Sequence, residues 1–285
     1  MEEIQILISS FKGFSKHTGK SKLTDKLLEI GSYTNGRIIE KIRALVRDGK
    51  KEEAALVKKQ LKGSTLSATY KERRVPEMID TYNDLQMMDL DGLSEEEMTN
   101  CRKLITGSPN TLFCFTSPSG NGLKVGVYMQ DELSCRLRME LLRRSEISYE
   151  ALETYHKQMF AYAKEYYETL CSVEVDASGS DIGRLFFTSY DPDIYICEEA
   201  LRQVRQPQLT ILPPPAKGKK KTVRQLMKEE MPGDESIDHT HIDPWIQMEF
   251  QSCVRSVERQ EKYQPGNRNN FIFTPVSYTH LTLPT

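Results

Sequence analysis

Apolar positions change their period several times along this chain. Glu3–Ser9 (EIQILIS) reads as a first strand. From Leu23 to Leu61 the spacing turns helical, with Leu27, Ile30, Ile38, Ile39, Ile42, Leu45 and Val46 recurring at three- and four-residue intervals. Asn35-Gly36 breaks that run, and a third short helix, Lys51–Leu61, ends at Gly63. Gly63–Val75 is polar and basic and reads as a loop. Leu85–Asp91 then reads as a strand with Leu85, Met87, Asp89 and Asp91 on one face. Ser94, followed three residues on by Glu97, predicts a capped helix start. Thr111–Ser117 and Leu123–Met129 read as strands around a tight glycine turn, Tyr149–Leu170 as a long amphipathic helix, and Arg184–Ser189 as a further strand. The mixture predicts an α/β (α+β) fold: a small mixed sheet with flanking helices, preceded by a basic helical segment.

Beyond Arg205 the composition shifts. Three prolines, Pro213 to Pro215, run into Lys217-Gly-Lys-Lys-Lys221, a stiff element joined to a basic tract. The expected organisation is therefore a domain over residues 1–205, with a basic helical insertion at 22–62, and a linker over 206–221. Helices expected at Thr222–Glu230 and Pro244–Glu261 would open a helical module spanning 222–274. Val276–Thr285 (VSYTHLTLPT) reads as a translated sequencing adaptor, so the natural chain is expected to continue past Thr274.

Composition narrows the class. The 285 residues are 38% apolar and 28% charged, and no apolar run approaches the roughly 18–20 residues that cross a bilayer. Glu2 and Glu3 follow Met1, unlike a signal peptide. Six cysteines without a CxxC pair suit a reducing compartment better than a disulfide framework or a zinc knuckle. The expectation is a soluble, cytoplasmic protein with no membrane partner. Its net charge of −2 hides an asymmetry, because residues 1–75 carry 17 Lys/Arg against 9 Asp/Glu. Such an excess attracts phosphate backbones, although a solvated lysine-rich helix face would give the same count.

Three segments can carry chemistry. In Met88-Asp-Leu-Asp-Gly92, alternate strand residues project the same way, so Asp89 and Asp91 form a carboxylate pair able to hold two Mg²⁺ or Mn²⁺ ions. A surface turn would use the same residues. In Thr116-Ser-Pro-Ser-Gly-Asn-Gly-Leu-Lys124, Gly120 and Gly122 can expose backbone N–H groups as an anion nest, with Ser119 and Lys124 beside it. An ordinary hairpin turn is the competing reading, and Asn121-Gly122 is a strong signal for one. In the third segment Asp176 and Asp181 flank a Ser/Gly loop before Arg184, offering a third metal ligand and a bidentate phosphate grip. Asp181, three residues before Arg184, is favoured as that ligand, and Asp176 is the alternative. His239 and His241 lie in a Pro/Gly-flanked stretch that favours a linker over a metal site. The spacing of Tyr155, Tyr162, Tyr166 and Tyr167 favours core packing over base stacking.

The order of these segments resembles the archaeo-eukaryotic primase superfamily. The strings MDLDGL, SPSGNGLKVGV and SGSDIGRLFFTSYDPDIYI, and the later GNRNNFIF, resemble more closely the N-terminal domain of virulence-associated E (VirE)-like proteins of bacterial mobile elements, over roughly Ile4 to Tyr195, with a weaker echo at Tyr263–Phe273 of a primase C-terminal helical module, the start of which the resemblance implies over 222–274. The resemblance implies a primase-polymerase-type nucleotidyltransferase acting on single-stranded DNA and nucleoside triphosphates, often joined to a downstream helicase. Asp89, Asp91 and Asp181 would hold two metals, and Ser119, Gly120, Gly122, Lys124 and Arg184 the phosphates. Where many primases have His in the second motif, this chain has Lys124. Lysine keeps the charge but loses a group that can relay protons. The alternative is therefore a catalytically inactive nucleic-acid-binding module that recruits a helicase.

Overall fold

A computed structural model describes residues 5–214, within the first unit of the chain, Met1–Lys217. The expected helices after 221, the histidines at 239 and 241 and the adaptor-like end lie outside the described residues. The first half runs β1 (Leu7–Lys12), β2 (Lys16–Lys22), α1 (Leu23–Gly31), α2 (Gly36–Arg47), α3 (Lys51–Lys58), β3 (Lys62–Thr65), β4 (Ala68–Tyr70), β5 (Ile79–Tyr82) and β6 (Gln86–Asp91). The second half runs α4 (Glu95–Thr106), β7 (Thr111–Thr116), β8 (Gly122–Val127), α5 (Glu132–Leu142), β9 (Glu146–Ser148) and α6 (Tyr149–Cys171). It closes with β10 (Leu185–Phe187), β11 (Tyr195–Ile196), α7 (Glu198–Gln203) and β12 (Thr210–Leu212).

The strands form two four-stranded antiparallel sheets, in the orders β10-β3-β1-β2 and β11-β7-β8-β6. Two-stranded pairs, β4 with β5 and β9 with β12, complete the α+β arrangement. The second sheet is apolar on both faces. Met88, Leu90, Cys114, Val125 and Val127 pack with Cys101 and Ile105 of α4 and with Leu152, Met159, Ala163 and Tyr167 of α6. On the opposite side, Met87, Phe113 and Phe115 join Leu23, Leu27 and Ile30 of α1, Ile8 of β1 and Phe186 of β10. Strand alternation therefore seats residues 88 and 90 against α4 and α6 and turns 89 and 91 toward the side where β10 runs. Ile39 and Ile42 of α2 make a third, smaller cluster with Ala54 and Leu61.

The helical spacing over 23–61 and its break at Asn35-Gly36 match α1, α2 and α3, with a 3₁₀ turn at Tyr33–Asn35. The Ser94–Glu97 capping box forms as expected. Tyr155 and Tyr167 are buried, with their hydroxyls on Asp84 and Thr111, and Tyr162 and Tyr166 pack partly buried against the same core.

Three local expectations change. The first strand is shifted to Leu7–Lys12. The segment expected as a loop over Gly63–Val75 contains β3 and β4, whose small polar residues are buried because they bond one another or the backbone. Thr65 donates to the Ala68 carbonyl, Thr69 pairs with Thr81, and Ser9 accepts from the Tyr70 N–H. Residues 210–212, inside the stretch read as a linker, pair parallel to β9. Among the described residues no helix is long and apolar enough to cross a membrane.

Candidate nucleotide site

The register of β6 on β8 places Asp89 directly opposite Lys124 and Asp91 opposite Gly122. Asp89 is 3% exposed and Lys124 8%. The Lys124 ammonium lies 2.7 Å from Asp89 Oδ2 and 3.8 Å from Asp91 Oδ1. Such a buried pair is costly to desolvate, and it persists because each charge is neutralised by the other.

The third segment arrives through the backbone. The Asp176 N–H donates to the Asp89 carbonyl at 2.9 Å, tying the 176–184 loop to β6. Arg184 Nη2 then reaches Asp176 Oδ2 at 3.0 Å and Asp89 Oδ2 at 3.4 Å. Asp176 also accepts from the Ser178 hydroxyl and N–H. The Ser178 hydroxyl is the largest cause holding the Asp176 carboxyl below its ordinary range. Asp89, Asp91 and Asp176 each offer an oxygen within 4.8 Å of the others. The group thus draws in Asp176 rather than the favoured Asp181. Asp181 lines the same cleft, but its Oδ1 accepts from the Gly183 N–H and its carbonyl from the Arg184 N–H, so it shapes the turn that aims Arg184.

The cleft encloses about 260 Å³ and is lined by Lys58, Arg74, Asp89, Asp91, Lys124 and Arg184 together with Phe14, Pro118 and Phe187. With Asp176 beside it, acids and bases are present in equal number. Ser119, Gly120 and Gly122 do not line it. They make the hairpin turn of the competing reading, in which Gly120 N–H bonds the Ser117 carbonyl and Ser117 N–H bonds the Gly122 carbonyl. Gly120 has φ +85 and packs against Arg43. At Gly122 a Cβ would lie 2.5 Å from the Leu90 carbonyl oxygen and 2.8 Å from Asp91 Oδ1, so glycine here lets β8 press against the aspartate strand. The turn sets Gly122 close against Asp91, and the Gly120 N–H is engaged by the Ser117 carbonyl.

Lys58, Arg74, Phe14 and Ser178 escaped the sequence reading. Lys58 closes α3, and its ammonium lies 5.9 Å from the centre of the Phe187 ring. Burial, and secondly the Lys124 charge, push its pKa down. The excess of Lys over Asp/Glu between 50 and 62 was a signal for it.

The buried atoms supply a test of metal fit. Among the described residues Asp89 Oδ1 is buried without a hydrogen-bond partner, while its other oxygen is held by Lys124 and Arg184. An orphaned carboxylate oxygen amid two further carboxylates fits the hard, oxygen-seeking character of Mg²⁺ or Mn²⁺.

Residues 56–196 match the family model described as BT4734-like, N-terminal domain. The matched stretch contains every cleft residue named above except Phe14. No curated protein and no solved structure matches the chain.

Proposed function

We propose that this chain carries the primase-polymerase-like nucleotidyltransferase domain of a mobile-element replication protein of the VirE kind. It binds a nucleoside triphosphate with Mg²⁺ or Mn²⁺ and acts on single-stranded DNA. The observation that supports this best is the buried, half-unpartnered Asp89 at the meeting point of the DxD strand, Lys124 and the 176–184 loop. Asp89, Asp91 and Asp176 would hold the metal. A bound divalent ion supplies charge neutralisation for a triphosphate and a lowered pKa for an attacking hydroxyl. Arg184, a planar fork, and Lys124, a point charge, turn from the carboxylates to phosphate oxygens when nucleotide enters. Lys58 and Arg74 add positive charge along the walls.

The basic segment supports a template role. Lys16 pairs in register with Lys12, and Lys12 with Lys62, forming a cross-strand row of three exposed lysines. Such a row suits a phosphate backbone. A helicase module attached beyond the domain would be its working partner.

Asp89→Asn keeps the side-chain shape, and Asp91→Asn alters a more exposed position. Both variants are expected to retain the far-ultraviolet circular dichroism of the parent. They should lose Mn²⁺ binding by calorimetry and nucleotide incorporation into labelled DNA. Undiminished incorporation by Asp89→Asn refutes the assignment.

One observation favours a second reading. Lys124 already fills a coordination position on Asp89 at 2.7 Å, as expected of a site that binds DNA without turnover and recruits a helicase. DNA binding by the wild-type protein with no Mn²⁺ binding at all selects this reading.

A further inference from the structure

Phe14 stands at the tip of the β1–β2 hairpin and is 51% exposed. Hairpin tips ordinarily carry Gly, Asn, Asp or Ser, whose backbone or hydrogen-bonding needs the turn satisfies. A large phenyl ring there has no such local reason. The ring is nonetheless held in place. It meets Phe187 edge-to-face, with centroids 5.6 Å apart and planes at 86°. The Phe14 carbonyl accepts from Arg74 Nη2 at 3.3 Å, and Arg74 Nη1 donates to the Gly183 carbonyl at 2.8 Å. Arg74 thereby fastens the hairpin tip to the loop that carries Asp181 and Arg184. Phe14 lines the same cleft as Asp89, Lys124 and Arg184.

An edge-to-face contact engages one side of a ring and leaves apolar surface over for another flat group. A fixed, half-bare aromatic beside a cleft that carries Lys58, Arg74, Lys124 and Arg184 has the composition of a nucleotide subsite: charge for the phosphates and a π-face for the base. We propose that Phe14 is the platform on which the base of the bound nucleotide stacks, with Phe187 bracing it from the side. The proposal rests on the phosphate-site reading given above and adds to it the position of the base. Stacking of this kind tolerates any base, so the subsite confers affinity rather than sequence choice.

Calorimetric titration with ATP and with inorganic tripolyphosphate, each with Mg²⁺, tests it on the wild-type protein, Phe14→Ala and Phe14→Trp. Wild type is expected to bind ATP more tightly than tripolyphosphate. Phe14→Ala should weaken ATP binding roughly tenfold while leaving tripolyphosphate unchanged, and Phe14→Trp should restore the ATP affinity. Tripolyphosphate binding with an ATP affinity unmoved by Phe14→Ala, or an equal loss for both ligands, overturns the platform alone. A wild-type protein that binds neither ligand overturns the phosphate-site reading and the platform with it.

Discussion

Lys58 ends its helix facing a cleft that already holds Lys124 and Arg184. Its depressed pKa, caused first by burial and then by the Lys124 charge, means that it sheds its proton below the ordinary lysine value of 10.5. If it grips phosphate, only the protonated form does so. Tripolyphosphate affinity is therefore expected to fall as pH climbs toward the lysine range, and Lys58→Arg, which stays charged, should flatten that fall. Parallel titrations of the two proteins across alkaline pH check this. A residue such as Lys58 is hard to find from sequence because its partners lie on strands far along the chain. Asp89 and Lys124 were easier, since each sits at a defined place on an alternating strand. The choice between Asp176 and Asp181 turned on a backbone hydrogen bond from 176 to β6, which no spacing rule encodes.

Among the elements, the helices of the first third were legible because their apolar stripes keep a strict period. The strand Lys16–Lys22 (KHTGKSK) was not, having no aliphatic residue at all. It is an edge strand whose lysines discourage further pairing, and its stability comes from the register with β1. Strands β3 and β4 were hidden for the opposite reason, since buried Ser and Thr look like loop residues until their hydrogen bonds are seen. The helix Glu132–Leu142 was likewise unread. It is anchored by a buried ion pair from Arg138 to Asp84, a residue with φ 57 between β5 and β6, and by the Arg138 guanidinium lying 3.9 Å from the Tyr128 ring centre. Removing one partner strands the other charge in the interior. Arg138→Leu should therefore cost about 3–5 kcal/mol in urea unfolding, and adding Asp84→Asn should recover a good part of it. An Arg138→Leu effect below ~1 kcal/mol would show that α5 is held by packing alone.

On the scale of the whole molecule, the domain is closed by its last strands. β10 completes one sheet beside β3, β11 completes the other beside β7, and β12 pairs with β9. A chain ended at residue 180 would leave β3 unpaired on one side and Phe115 without Phe186 against it. It is expected to lose cooperative thermal unfolding and to expose apolar surface to a fluorescent dye, whereas a chain ended at 214 should melt in one sharp transition. The α+β class was readable from the alternation of periods. The division into two sheets was not, because strands of two to four residues carry too little pattern to announce their partners.

Asp89 and Arg184 are 95 positions apart in the chain. During synthesis, then, Asp89 and its partner Lys124 leave the ribosome well before Arg184, the second cation on the same carboxylate. Through that interval the nascent polypeptide holds two sheets that still lack β10 and β11, and a stall in translation ahead of Leu185 would prolong its dependence on chaperones.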